Sequence, residues 1–150
     1  MSATETTFTI HNLSLPALKS AYLRGDGTPR ALLRDLLAQA RRQQEYNAWI
    51  RLLDEAELEP YLSALEAHSP DTLPLYGVPF AIKDNIDLAR VPTTAACPDF
   101  AYMPKASATV VDRLGGAGAV PLGRTSRCQF ATGLVGTRSP YGEGKNSFNT

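Results

Sequence analysis

The most informative segment of this 150-residue chain is Leu75-Tyr-Gly-Val-Pro-Phe-Ala-Ile-Lys83-Asp-Asn-Ile-Asp87. Its glycine and proline indicate a turn, and the apolar residues up to Ile82 predict that the turn leads into a buried strand. Lys83 then follows the strand directly. An ammonium group at such a strand end can lose solvent, which favours the neutral amine, and a neutral lysine is a competent general base. Lys83 is therefore the first candidate catalytic residue.

A structural role for Lys83 fits the same pattern. In that interpretation the side chain reaches water and forms an ion pair with Asp84 or Asp87. Because structural ion pairs also perturb lysines, the spacing of these residues alone favours the structural role. Information from outside the segment has to separate the two interpretations.

Upstream of this segment the chain is predicted to be mainly helical. Ser14 is suited to cap a short helix that Gly25 ends, Thr28-Pro29 to open a longer helix, and Asp54 to cap a third. Leucines recur at helical spacing in the second and third of these helices. Residues 49–52 are predicted to form a short strand.

The texture of the sequence changes at Ser69-Pro70, where prolines and glycines begin to separate short apolar runs. We therefore expect an N-terminal helical segment over residues 1–70 and an α/β core over residues 71–150. Three further elements are predicted in the core: a helix over 108–114, a strand over 119–122, and a helix that Thr125 caps and that runs into Phe130. Strands that alternate with helices in this order indicate an α/β fold.

Composition excludes several classes of protein. Fifteen Lys and Arg residues balance fifteen Asp and Glu residues, which argues against a general nucleic-acid binder. The hydrophobic content of 43% argues against disorder. Every apolar run is interrupted before it could span a membrane, and the N-terminus lacks the pattern of a signal peptide, so we expect a cytoplasmic protein without membrane partners.

Metal binding and nucleotide binding are not predicted. Cys97 and Cys128 form no CxxC pair, and only His11 and His68 could add further soft ligands, so the sequence predicts no metal site and assigns no role to the two cysteines. The run from Gly118 to Thr125 nearly matches a phosphate-binding loop, but its intervening residues are apolar and an arginine replaces the lysine.

A second informative segment is Gln129-Phe-Ala-Thr-Gly-Leu-Val-Gly-Thr-Arg-Ser-Pro-Tyr-Gly142. Gly133 and Gly136 permit close approach of the backbone to a ligand, so we predict that they line a substrate pocket near Lys83. A helix end followed by a surface loop is the alternative interpretation. Arg138 is left out of the predicted site because a loop arginine can equally pair with a structural carboxylate.

Together these segments resemble the amidase signature enzymes. The resemblance lies in Leu75–Asp87, in the spacing to Thr93-Thr94 and to Gly118-Ala119, and in Gly123-Arg-Thr125. Within that family, Thr93-Thr-Ala-Ala-Cys97-Pro and the segment from Gln129 to Gly142 are most similar to the allophanate hydrolases. The resemblance implies the N-terminal portion of the amidase signature fold, a mixed central sheet covered by helices, which is incomplete in this chain.

What the family implies is a Ser-Ser-Lys triad in which Lys83 is the base. The two serines belong to a Gly-Gly-Ser-Ser block and a later segment, and neither is found in this sequence. The resemblance further implies hydrolysis of allophanate (urea-1-carboxylate) to ammonia and carbon dioxide, with no cofactor, by a cytoplasmic homodimer acting on a small-molecule amide. The 150-residue chain alone is expected to be inactive.

Two other functions are compatible with the sequence. The chain could be a naturally short, non-catalytic binding protein derived from an amidase. It could also belong to another amidase or to the A-type component of an amidotransferase, although that component implies a different, Ser-, Thr- and Glu-rich loop after Gln129-Phe-Ala. The sequence also departs from the family pattern, with Arg124-Thr125-Ser126 in place of Lys-Thr-Asn and Arg127-Cys128 in place of Leu-Asp.

Overall fold

A computed structural model describes residues 12–126, 128–133, 137–146 and 148 of the chain. Four α-helices and three strands follow one another along it: α1 (Leu15–Arg24), α2 (Pro29–Arg42), β1 (Trp49–Leu52), α3 (Glu55–Glu66), β2 (Pro79–Lys83), α4 (Thr109–Gly116) and β3 (Val120–Thr125). Short 3₁₀ helices span Gln44–Tyr46, Pro98–Phe100 and Gln129–Ala131.

The helix starts follow the capping chemistry of the sequence. The Thr28 hydroxyl accepts a hydrogen bond from the Ala31 N–H at 3.2 Å and thereby opens α2. Asp54 and Glu57 form a reciprocal capping box at the start of α3, in which each carboxylate accepts from the other residue's N–H. Ser14 occupies the cap position of α1, but its side chain makes no capping hydrogen bond there.

The three strands form a mixed sheet in the order β1-β3-β2. The central strand β3 pairs antiparallel with β1 and parallel with β2, and α4 provides the crossover between the two parallel strands. Gly123 is required in β3 because a Cβ there would lie 2.3 Å from the Arg51 carbonyl oxygen of β1. The predicted mixed sheet covered by helices is confirmed in this part of the fold.

Helices α2 and α3 cover the sheet through apolar side chains. The main buried cluster combines residues of both helices with residues of the strands and α4: Leu33, Leu37, Leu58, Leu62, Leu65, Ile82, Val111, Val120 and Leu122 among others. Complete burial of one such side chain contributes about 1.5–3 kcal/mol. A smaller cluster joins α1 to α2, and the Tyr22 hydroxyl donates to the Gly77 carbonyl at 2.9 Å. Burial raises the pKa of Tyr22.

Two expectations about the core elements need correction. The predicted buried strand is β2, yet only its Ile82 is buried, because β2 lies at the edge of the described sheet and is covered incompletely. Thr125 does not cap a helix, because it is the last residue of β3 and pairs with Lys83 of β2. The helix that leads through Phe130 is only a 3₁₀ turn of three residues.

Candidate active site

Lys83 is the last residue of β2, and its partner across the parallel ladder is Thr125, the last residue of β3. Both strands therefore end at the same edge of the sheet, the place where open α/β sheets bind ligands. Beyond Lys83 the chain turns sharply, and the Lys83 carbonyl accepts a hydrogen bond from the Ile86 N–H at 2.9 Å. The Lys83 side chain is exposed.

Asp84, the next residue, points into the protein and is fully buried. One carboxylate oxygen accepts from Arg124 Nε at 3.0 Å, and the other accepts from the Thr94 hydroxyl and from the Ala96 N–H at 3.1 Å. The Asp84 main-chain carbonyl accepts from the Ala95 N–H at 2.8 Å. This carboxylate is therefore engaged entirely by groups beneath the strand end.

Asp87 is engaged in a similar way. Its Oδ1 accepts from the Thr93 hydroxyl at 2.8 Å and from the Tyr102 hydroxyl at 2.7 Å. The hydrogen bond to Asp87 raises the pKa of Tyr102. Thr93 in turn accepts a hydrogen bond from Arg124 Nη2 at 2.7 Å. A continuous set of polar contacts thus runs under the turn that follows β2.

Four of these side chains tie β3 to the turn and to the loop over residues 93–96, and we call them the strand-end cross-link: Asp84, Thr93, Thr94 and Arg124. The Arg124 and Asp84 side chains are 0% and 1% exposed. Burying two charges costs several kcal/mol per ion unless they are paired and hydrogen-bonded, and the contacts of the cross-link provide both the pairing and the hydrogen bonds.

The sequence offers Asp84 and Asp87 as ion-pair partners for Lys83, and both carboxylates point to other groups. Within the described ranges, no acidic side chain lies within salt-bridge distance of the Lys83 ammonium group. The structural interpretation of Lys83 as the partner of either aspartate therefore loses its geometric basis.

Strained backbone surrounds the same edge of the sheet. Ala95 and Ala96 have φ values of 51° and 57°, and Phe130 and Ala131 have values of 48° and 57°. The left-handed region costs about 1–2 kcal/mol per non-glycine residue, and residues held in it cluster at active sites and ligand clamps. The two loops are joined directly, because the Phe130 N–H donates to the Ala95 carbonyl at 3.0 Å.

Of the predicted substrate-binding glycines, only Gly133 lies within the described residues, and Gly136 lies outside them. Gly133 packs against Cys128, since a Cβ on Gly133 would lie 2.7 Å from Cys128 Sγ. The main-chain carbonyl of the exposed Arg138 accepts a hydrogen bond from the Gln129 N–H at 2.7 Å. The glycine loop is thus anchored to the 3₁₀ turn beside it.

Arg124 is the site residue whose role the sequence pattern does not reveal. In the sequence it is only a departure from the lysine that the family pattern leads us to expect. A signal is nevertheless available, because a charged residue after the apolar run Val120-Pro-Leu122 in a predicted strand requires a buried partner. What the sequence does not show is that the partner is Asp84, forty positions earlier.

The described part of the chain contains other cavities and no metal cluster. One cavity of about 680 Å³ lies between α2 and α3, lined by residues such as Arg30, Leu37 and Glu59, and none of the strand-end residues line it. Among the described residues no group of His, Cys, Asp and Glu could hold a metal ion. No helix in those ranges has the length and apolar character needed to span a membrane.

The fold and the site together define an α/β protein whose candidate site lies at the carboxyl ends of two parallel strands. The sequence model of the Amidase family matches residues 31–150. Because that match covers more than half of the chain, the chain belongs to the amidase family, and the resemblance of its motifs to that family is confirmed.

Relatives with established names fall in the same group. A urea amidolyase of Saccharomyces cerevisiae is 53% identical over 104 residues, an alignment that covers 69% of this chain and 6% of the relative. The A-type component of the glutamyl-tRNA(Gln) amidotransferase from Lactobacillus acidophilus is 34% identical over 140 residues, which is 92% of this chain and 28% of the relative.

Solved structures share the fold. An allophanate hydrolase of Kluyveromyces lactis superimposes with a TM-score of 0.72 at 46% identity, covering 86% of this chain and 21% of the hydrolase. A crystal structure of an amidase gives a TM-score of 0.73 at 30% identity, covering 89% of this chain and 31% of the other. The chain spans less than a third of the length of each of these proteins.

Proposed function

We propose that this chain supplies the general base of an amide-hydrolysing enzyme whose substrate is allophanate. The observation that carries the proposal is the position of Lys83, which lies at the carboxyl end of a parallel strand with both neighbouring aspartates turned away from it. A carboxylate partner would favour the charged ammonium, and a lysine acts as a base only in its neutral form.

The proposed reaction uses Lys83 through a bridging serine. The neutral amine accepts the proton of the bridging hydroxyl as that group takes the proton of a second serine, whose oxygen attacks the amide carbonyl carbon of allophanate. The C–N bond then breaks, the leaving nitrogen takes up the proton, and water hydrolyses the acyl-enzyme. The route needs no metal or organic cofactor.

The two serines belong to a part of the enzyme that this sequence does not contain, so the chain alone is proposed to be inactive. We also propose that Gly133 and Gly136 line the substrate pocket, and that the active enzyme is a cytoplasmic homodimer. Residues 1–70 would then act as a helical support for the α/β core over 71–150. The identity to urea amidolyase and to allophanate hydrolase supports allophanate over other amides as the substrate.

The first test is to read the coding sequence beyond Thr150. The proposal expects a Gly-Gly-Ser-Ser block in frame. A stop codon directly after Thr150 would contradict the catalytic role and would favour a short binding protein.

The second test measures ammonia release by the protein translated from the complete reading frame. Allophanate, a simple aliphatic amide and glutamine are offered separately, and the Lys83→Ala protein serves as the blank. We expect the highest kcat/KM with allophanate. Turnover of glutamine in preference to allophanate would instead identify an amidotransferase component, and no turnover above the blank would end the hydrolase proposal.

A further inference from the structure

The Arg124 side chain occupies an unusual place in the sheet. It lies on the central strand β3, directly before Thr125, and its side chain is completely buried. Arginines are seldom fully buried unless every charged group around them is paired. The environment of Arg124 therefore indicates what the guanidinium group does.

The three nitrogens of this guanidinium group reach three different points around the turn that follows Lys83. Nε donates to Asp84 at 3.0 Å, Nη1 donates to the Ile86 carbonyl at 2.6 Å, and Nη2 donates to the Thr93 hydroxyl at 2.7 Å. Asp84 and Ile86 are the first residue after Lys83 and the residue whose N–H closes the turn.

A lysine could not replace these contacts. An ammonium group is a compact point charge, whereas the planar guanidinium presents donors in a fixed fork that can hold several acceptors at once. A buried ion pair is also an inefficient way to stabilise a fold, because apolar residues of the same volume often do as well or better. The arrangement is therefore better explained by geometric specificity than by stability.

Resting on the proposed function, we propose that Arg124 is a positioning residue for the base: it fixes the backbone of the Lys83–Ile86 turn and thereby the direction of the Lys83 amine. The Lys83 side chain has no carboxylate partner among the described residues, so the backbone that carries it decides where it points. Arg124 acts only through the turn and does not touch the reacting atoms.

The test compares Arg124→Lys with Arg51→Lys in the complete enzyme. Arg51 is the matched control, since it faces Arg124 across the β1–β3 ladder but pairs with Glu57 at 2.7 Å. We expect Arg124→Lys to lower kcat by roughly 10²-fold with KM unchanged, as for a misplaced catalytic group. Arg51→Lys should leave kcat at the wild-type level.

A second readout does not depend on activity. Hydrogen exchange of the Ile86 and Ala96 amides reports the turn and the loop directly, because these N–H groups donate to the Lys83 carbonyl and to the Asp84 carboxylate. We expect faster exchange at both amides in Arg124→Lys and unchanged exchange in Arg51→Lys. If Arg124→Lys fails to fold, Thr93→Val removes one contact of the same guanidinium and is measured instead, with Thr93→Ser expected to restore kcat.

The outcomes separate the two proposals. An unchanged kcat in a folded Arg124→Lys enzyme, or unchanged exchange at Ile86 and Ala96, would overturn the positioning role. A wild-type enzyme that hydrolyses no amide would overturn the proposed function, and the exchange measurement alone would then decide whether Arg124 fixes the turn.

Discussion

The helical layer and the strand end of this protein are held together by different forces. Helices α2 and α3 contribute rows of leucines that pack on one face of the sheet. At the carboxyl end of β2 and β3, the strand-end cross-link replaces apolar contact with a buried ion pair and oriented hydrogen bonds. Apolar packing requires the right volume, whereas the cross-link requires particular atoms at particular distances.

This difference explains where chemistry can be located. Apolar contacts are non-directional, so a helix held by leucines can adjust slightly without loss. A base must be held close to its productive geometry, and directional bonds to a buried guanidinium provide that constraint. The predictions below change one region at a time and ask whether the two respond differently.

The largest effect is expected from Lys83→Ala in the complete enzyme. Removal of a general base typically lowers the rate by ~10²–10⁴-fold, and the exposed side chain contributes little to packing. Steady-state kinetics and thermal melting of the same preparation measure both properties. Lys19→Ala on α1 is the control and should retain full turnover. Near-normal turnover of Lys83→Ala would return this residue to a structural role.

The two regions should differ in their tolerance of near-isosteric substitution. Asp84→Asn leaves the buried Arg124 charge without its counter-ion, and breaking a buried pair costs about 3–5 kcal/mol. Leu37→Met in α2 conserves volume and should cost less than about 1.5 kcal/mol. Chemical denaturation of the complete protein gives both values. Equal losses of stability would erase the distinction between the regions.

Gly133→Ala tests whether the glycine loop contacts the substrate or only packs. The new methyl group would meet Cys128 Sγ, and overpacking of this kind costs about 1–3 kcal/mol. Combining it with Cys128→Ala removes the obstructing sulfur. If the loop lines the substrate pocket, KM stays raised in the double variant although the melting temperature recovers; recovery of both would make the loop purely structural.

The smallest effect is expected at the surface of the helical layer. Glu59 accepts from Arg30 Nη1 at 2.7 Å, and this bond lowers the pKa of Glu59 from 4.5 to about 2. Because the folded-state pKa is depressed, the pair stabilises the protein above pH 4.5, and this contribution is lost as the pH falls through about 2.

The corresponding measurement is the melting temperature of Glu59→Gln against wild type at several pH values. Both side chains are about half exposed, so solvent screens the pair and the difference at neutral pH should be small. That difference should shrink between pH 4.5 and about 2. Glu45→Gln, at an exposed position, is the control. A difference that persists below pH 2 would assign the effect to something other than the ion pair.

Local chemistry in the sequence is enough to predict most of the elements. Thr28-Pro29 and Asp54 start α2 and α3 as expected, because a side-chain cap depends only on residues three positions away. The strand over Trp49–Leu52 and the helix–strand pair around Gly118 are likewise predictable from apolar runs between breakers. The family, too, is recognisable from the motif around Lys83.

Long-range contacts decide the rest. The sequence predicts Lys83 at a strand end but leaves open whether Asp84 or Asp87 neutralises it, since adjacent residues in a chain can point in opposite directions. Only the tertiary structure turns Asp84 inward to Arg124, forty positions away, and leaves Lys83 facing outward. Thr125 is a strand residue for the same reason: the ladder with β2 outweighs its local preference for a helix cap.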